Sequence, residues 1–148
     1  MTVTAKVGSL RNLGKVRTET GTFDVRPAQS GGYVVEGPPG VEPGLVRYDE
    51  KRQILEIERP GITLYIDFRP EAERTVFDFN GHHYDVGSME FGSIVFTEAG
   101  RPAVRGNETV SGVRLTLIEP PLDVVERELA FGLALRSAWG DEAFWRQE

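Results

Sequence analysis

The residues of this 148-residue chain best suited to chemistry are two adjacent histidines, His82 and His83. Histidine binds metal ions and exchanges protons near neutral pH. Neighbouring residues of a strand point to opposite faces, so we expect His82 on the Tyr84 side and His83 on the Asp85 side. A site of His83, Asp85 and a third ligand would lack the spacing of a known metal motif. We therefore interpret the pair as ordinary hairpin surface and predict no metal site.

Hydrolytic chemistry has little support in the sequence. None of the six serines lies in a G-x-S-x-G elbow, and no phosphate-binding glycine loop is present. Acid–base catalysis by two carboxylates requires one of them to be desolvated in a cleft. Most paired carboxylates here alternate with apolar residues, as on a solvent-exposed face, so we predict no catalytic site, no enzyme activity and no cofactor. These pairs are Glu56 with Glu58, Asp78 with Asp85, and Glu126 with Glu128.

Composition limits the classes of partner. The chain has no cysteine, which excludes disulfides, thiolate metal sites and a cysteine nucleophile. Its net charge of −6 argues against nucleic acid as a partner. The same charge disfavours anionic lipid, although a local basic patch can override it. The nearest approach to such a patch is Arg11, Lys15 and Arg17, which we take as a weak candidate binding site.

The sequence contains no evident targeting or membrane segment. Its first residues lack the apolar core of a signal peptide. No apolar run approaches the roughly 20 residues that cross a bilayer as a helix. We therefore expect a soluble, cytoplasmic protein.

The first 118 residues break into about twelve short extended runs separated by turn residues. Asn80-Gly81 between two such runs is typical of a type I′ hairpin turn. Even spacing of short strands favours a barrel or a sandwich. The predicted strands are 3–7, 15–19, 22–26, 32–36, 44–48, 52–58, 62–68, 74–79, 82–86, 92–97, 101–105 and 109–118.

One helix, over about 123–139, follows the strands. Asp123 is a good N-cap with Glu126 three residues later, and Gly140 is a plausible stop. Residues 129–135 read LAFGLAL and are apolar on all sides, which is typical of a helix buried all round. Gly132 at its centre indicates close approach of surrounding side chains.

These features predict a mainly β, single-domain protein over 1–148. About twelve antiparallel strands would form a closed barrel around a central hydrophobic C-terminal α-helix, followed by a short tail over 140–148. The alternative is a helix lying across one open sheet face. The core side chains of the helix are predicted to be Leu129, Phe131, Leu133, Leu135 and Trp139.

The segment EPPLDVVERELAFGLALRSAWGDEAFW resembles the C-terminal segment of the tubby C-terminal-like superfamily, which includes LURP-one-related proteins and phospholipid scramblases. The matching features are a Pro-Leu-Asp start at 121–123, a charged turn at 126–128, the apolar run at 129–135, and the aromatic pair Phe144-Trp145. The resemblance implies a closed barrel of about twelve strands around a central hydrophobic helix.

The chain departs from the best-known members of that superfamily. Tubby domains bind phosphoinositides through a dense basic cluster, to which Arg11, Lys15 and Arg17 are only a sparse counterpart. Scramblases carry a proline-rich arm, palmitoylated cysteines and an acidic calcium-binding stretch, and none of these is seen here. The chain is most similar to the small, soluble, barrel-only type, which implies no single activity.

Three functional hypotheses remain. The first is a non-enzymatic binding or scaffold module of the tubby/LURP-like type. The second is a peripheral protein that binds anionic lipid through Arg11, Lys15 and Arg17. The third is a small-ligand carrier or enzyme with an open barrel and an external helix. A protein partner or a second copy of the chain would meet the exposed aromatic residues Phe144 and Trp145, unless these plug the barrel mouth.

Overall fold

A computed structural model describes residues 2–8, 14–68, 75–87 and 92–146, with side chains described as far as Ser137 in the last range. Twelve strands precede a 3-10 turn (Leu122–Val125) and one helix, α1 (Glu126–Arg146). The strands are β1 (Val3–Lys6), β2 (Lys15–Thr18), β3 (Gly21–Pro27), β4 (Tyr33–Val35), β5 (Gly44–Asp49), β6 (Ile54–Arg59), β7 (Ile62–Asp67), β8 (Thr75–Phe79), β9 (His82–Val86), β10 (Ser93–Glu98), β11 (Arg101–Glu108) and β12 (Gly112–Ile118).

All twelve strands form one antiparallel sheet that curls into a nearly closed barrel. Their order is β7-β6-β5-β4-β3-β2-β1-β12-β11-β10-β9-β8. Every neighbouring pair is consecutive in the chain except β1 and β12, which join its two ends. Strands β7 and β8 lie in contact but are not paired by a ladder in the part of the chain described. The mainly β barrel predicted from the sequence is confirmed, but the unpaired contact between β7 and β8 leaves it not fully closed.

The helix occupies the centre of the barrel. It contacts β4, β5 and β6 on one side and β12, β1 and β2 on the other. The consecutive residues Leu129, Ala130 and Phe131 are all fully buried. Successive helical residues point about 100° apart, so strands must surround the helix. The two alternative predictions, a helix lying across one open sheet face and a helix outside an open barrel, are therefore wrong.

The predicted core residues of the helix fit this position. Leu129, Phe131, Leu133 and Leu135 are at most 3% exposed. Trp139 lies on the helix, but its side chain is outside the described residues.

Both predicted ends of the helix need correction. Asp123 lies inside the 3-10 turn, whose N-cap is Pro121, and no side chain caps that turn. The helix also continues through Gly140 to Arg146. Glycine lowers helix stability by about 1 kcal/mol without forbidding the helix, and no proline follows to end it. Phe144 and Trp145 thus lie on the helix and not on an irregular tail, although their side chains are outside the described residues.

A β-bulge in β12 changes which of its residues point into the barrel. Alternation predicts Leu117 inside the barrel with Val113 and Leu115. The register with β11 shifts between Arg105 and Gly106, so that β12 carries one extra residue there. As a result Ile118 is buried, whereas Leu117 is only half-buried.

Gly132 is required by close packing, as the sequence predicts. A Cβ at this position would lie 2.5 Å from Cδ1 and 3.2 Å from Cγ of Leu55, a fully buried residue of β6. The helix and the barrel wall therefore meet with no space for a methyl group.

We predict that Gly132→Ala destabilises the protein by about 1 kcal/mol, because overpacking typically costs about 1–3 kcal/mol and outweighs a helix-propensity gain of about 1 kcal/mol. Chemical denaturation measures this difference. In a double-mutant cycle with Leu55→Ala, the added methyl group should become favourable. Stabilisation by Gly132→Ala alone would show that the barrel wall does not press on the helix.

Candidate functional site: a cationic outer face

Two of the three predicted patch residues lie on the outer surface of the barrel. Lys15 and Arg17 are exposed on β2, on either side of the buried Val16. Arg11 lies outside the described residues. The outward alternation of β2 thus places two cationic side chains on one exposed face.

Strand pairing adds cations from distant parts of the sequence. Lys6 of β1 lies directly opposite Lys15. Arg17 lies opposite Thr4, and Thr4 lies opposite Arg114 of β12. Neighbouring strands are about 4.8 Å apart, so Arg17 and Arg114 flank Thr4 at roughly 10 Å from each other.

The same face continues onto β11. Asn107 lies opposite Arg114, and Arg105, two residues before it, is also exposed. Five cationic residues therefore lie on four adjacent strands, in an area roughly 15 Å across. We call this surface the cationic face: Lys6, Lys15, Arg17, Arg105 and Arg114.

Within the part of the chain that the structure describes, the charges of this face are not neutralised by ion pairs. None of the five forms an ion pair with another residue in the described ranges, in contrast to Arg26, which pairs with Glu36 at 2.9 Å. Asp24 of β3 lies opposite Lys15 and marks the border of the face. The residues beside the cations include the polar Thr4 and Asn107, and the half-buried Leu117 lies opposite Arg105. The face can therefore attract anions, and it offers hydrogen-bonding groups between the charges.

Sequence analysis missed Lys6, Arg105 and Arg114. Alternation alone shows that each points away from the core. Lys6 reaches Lys15 through the pairing of the consecutive strands β1 and β2, whereas Arg105 and Arg114 reach the face through the β1–β12 pairing, which connects residues more than a hundred positions apart. No local signal in the sequence specifies the β1–β12 pairing.

The two histidines bind separate carboxylates at the end of the β8–β9 hairpin. His83 Nδ1 lies 2.7 Å from Asp78 Oδ1, directly across the hairpin. His82 Nδ1 lies 2.5 Å from Glu98 Oε2. Among the described residues, no group of three His, Cys, Asp or Glu side chains could hold a metal ion. The opposite orientation of the two histidines agrees with the prediction.

The predicted exposure of the paired carboxylates is correct for Glu56, Glu58 and Asp78, only partial for Asp85, and wrong for Glu128. The side chains of Glu56 and Glu58 are 41% and 49% exposed, and that of Asp78 is 78% exposed. Glu128, in contrast, is fully buried on α1. The helix carries it inside the barrel, which its position beside charged neighbours in the sequence did not indicate.

Glu128 lies between two arginines without a hydrogen bond to either. Its Oε1 is 3.7 Å from Arg59 Nη1, and its Oε2 is 3.9 Å from Arg127 Nε. Burial raises the pKa of Glu128, and the two guanidinium groups oppose that rise. The carboxylate packs so closely on β5 that a Cβ at Gly44 would overlap its Cγ.

Both arginines have further contacts that hold them in place. Arg59 donates to the carbonyl of Val124 at 2.6 Å, and Arg127 lies over the ring of Phe23. A fully buried carboxylate cannot touch a substrate from bulk solvent. Because Glu128 and Arg127 lie on α1 and Arg59 lies on β6, this cluster links the helix to the barrel wall.

Comparisons of the chain with family models, curated proteins and solved structures find no match. The resemblance to the tubby C-terminal-like superfamily therefore stays a prediction. Within the ranges described, no helix combines the length and apolar character needed to cross a membrane.

Proposed function

We propose that this protein is a non-enzymatic binding module that docks on anionic lipid surfaces through its cationic face. The observation that carries the proposal is the concentration of five cationic side chains on four adjacent strands, none of them in an ion pair with a described residue. Each such side chain near an anionic leaflet contributes about 1 kcal/mol to binding.

The acidic net charge does not oppose this mode of binding at moderate salt. At about 0.1 M ionic strength the Debye length is about 10 Å, so charges elsewhere on the barrel are largely screened. The five cations lie within a surface roughly 15 Å across, so neighbouring cations act together while distant carboxylates are screened. The local charge of the face therefore decides the interaction, in spite of the net charge of −6.

The composition of the face favours lipid over nucleic acid. Proteins that bind single strands stack bases on aromatic side chains, and those that bind duplexes carry an extended basic footprint. Here the side chains between the cations include Thr4 and Asn107, with no aromatic residue at the paired positions of β2, β1, β12 and β11 on this face. Such a surface suits an array of anionic headgroups.

The filled interior of the barrel supports a binding role for the outer surface. The helix fills the barrel, which leaves no interior space for the ligand of an open-barrel carrier or enzyme. The resemblance to barrel-only tubby-like proteins agrees with a binding role in the cytoplasm. Assembly through Phe144 and Trp145 stays a prediction.

Co-sedimentation with lipid vesicles tests the proposal. We expect the protein to sediment with vesicles of phosphatidylcholine and phosphatidylserine at about 0.1 M salt, and to be released at about 1 M salt, where the Debye length falls to about 3 Å. Vesicles of phosphatidylcholine alone should not bind it. Equal binding to both vesicle types, or binding to an oligonucleotide but to neither vesicle, would contradict the proposal.

A further inference from the structure

One fully exposed apolar residue, Val110, lies in the turn that joins β11 and β12. It is 101% exposed, whereas the other exposed large apolar residues in the described ranges are 38–48% exposed. Single exposed apolar residues are common on protein surfaces, so exposure alone assigns Val110 no role. Its position relative to the cationic face does.

Backbone hydrogen bonds hold this turn in place on both sides of Val110. The N–H of Thr109 donates to the carbonyl of Gly112 at 2.9 Å. The N–H of Val7, directly after β1, donates to the carbonyl of Ser111, also at 2.9 Å. The turn is therefore tied to the first and last strands, and binding through Val110 requires little further ordering of the chain.

Four of the five cations lie at the end of the cationic face nearest to Val110. Gly112, two residues after Val110, lies opposite Lys6, and Lys6 lies opposite Lys15. Two residues span at most about 7 Å, so this lysine row lies within about that distance of the tip along the strands. The two arginines of β2 and β12 lie one row further from the tip.

The nearest carboxylate in the sequence is on the other side of the sheet. Glu108, two residues before Val110, lies opposite the buried Val113 and is itself half-buried, so it points toward the barrel interior. Asn107 and Arg114 occupy the outer side of the same two strands. The apolar tip is therefore continuous with a cationic surface and not with an acidic one.

The spacing between the lysine row and the tip matches the depth of a headgroup layer. A bilayer is about 40–45 Å thick with a hydrocarbon core of about 30 Å, so each headgroup layer is about 5–8 Å deep. With Lys6 and Lys15 at the level of the lipid phosphates, a tip about 7 Å further along the strands reaches the edge of the hydrocarbon. The same depth is typical of apolar groups on peripheral membrane proteins.

We propose that Val110 inserts into the bilayer as an apolar anchor beside the cationic face. The barrel then docks with the β11–β12 turn pointing into the membrane and the start of the helix pointing away from it. This inference rests on the lipid-binding function proposed above, to which it adds the orientation of the barrel and an apolar contact.

A fluorescent label at the tip tests the insertion. The chain has no cysteine, so Val110→Cys gives a single site for an environment-sensitive fluorophore. We expect its emission to shift to the blue on vesicles of phosphatidylcholine and phosphatidylserine at about 0.1 M salt, and to be quenched by lipids with brominated acyl chains. The same label on Val124→Cys, in the exposed 3-10 turn at the other end of the barrel, should stay in water.

Two variants with the same change of charge measure the contribution of the anchor. Val110→Asp should weaken binding to these vesicles at least about tenfold, because burial of a valine side chain contributes at least about that factor. Val124→Asp adds the same charge at the other end of the barrel and should bind like wild type.

The outcomes separate this inference from the function on which it rests. An unshifted label at position 110, on protein that sediments with the vesicles, would overturn the insertion and leave lipid binding in place. Equal shifts of the two labels, or equal binding by the two Asp variants, would do the same. A wild-type protein that does not sediment with the vesicles would overturn both.

Discussion

Leu133→Asp is expected to abolish cooperative folding. Leu133 is 2% exposed and lies on the helix inside the barrel. An unpaired carboxylate in that position costs several kcal/mol, against a total stability of about 5–15 kcal/mol for a typical domain. We expect the variant to lose its near-UV circular dichroism signal and its sigmoidal unfolding transition.

Two further variants keep this prediction testable if Leu133→Asp cannot be purified. Leu133→Ala should fold but lose about 2–5 kcal/mol. Val110→Asp adds the same charge at a fully exposed position and should change stability by less than about 0.5 kcal/mol. A Leu133→Asp protein that unfolds cooperatively near the wild-type midpoint would contradict the central position of the helix.

Glu128→Ala is expected to destabilise the protein by about 2–3 kcal/mol, because it truncates a fully buried side chain that packs against Gly44 and leaves a cavity between Arg59 and Arg127. The side chains of Arg59 and Arg127 are only 16% and 11% exposed. Glu58→Ala removes an exposed carboxylate from a loose ion pair and should cost at most about 1 kcal/mol. Urea denaturation measures the loss of stability in each variant. Equal losses of stability would show that the buried Glu128 contributes no more to stability than an exposed carboxylate.

Glu128 should also make the stability of the protein depend on pH. Burial raises the pKa of Glu128 in the folded protein, so protonation of this group favours folding. Its contribution is fully present below the unfolded value of about 4.3 and is lost as pH rises through the folded pKa. Wild-type protein should therefore gain stability relative to Glu128→Gln as pH falls toward 4.3. The opposite slope would mean that the arginines outweigh burial.

Much of the fold was predictable from local sequence patterns. Each of the twelve predicted strands overlaps an observed one, because period-2 alternation and turn residues are local signals. The φ values of Asn80 and Gly81, +51° and +82°, agree with the predicted type I′ turn. The bulge in β12 was not predictable, because it depends on how two strands align and not on the composition of either.

The candidate site was less predictable from the sequence than the fold. Lys15 and Arg17 could be selected because they lie close together in the sequence. Arg114 could not, since only the pairing of the first and last strands brings it to the same face. The burial of Glu128 was missed for a related reason: its neighbours Glu126 and Arg127 make the start of the helix look exposed, whereas the barrel encloses that turn.

The most direct test of the account compares two double charge reversals that change the net charge equally. Arg17→Glu with Arg114→Glu alters the cationic face, whereas Lys51→Glu with Arg52→Glu alters an exposed turn between β5 and β6. The measurement is the partition of each variant onto vesicles containing phosphatidylserine at about 0.1 M salt. We predict that the first variant binds at least about thirtyfold more weakly than wild type, at about 1 kcal/mol for each lost cation, and that the second binds like wild type. Equal binding by the two variants would contradict the assignment of function to the cationic face.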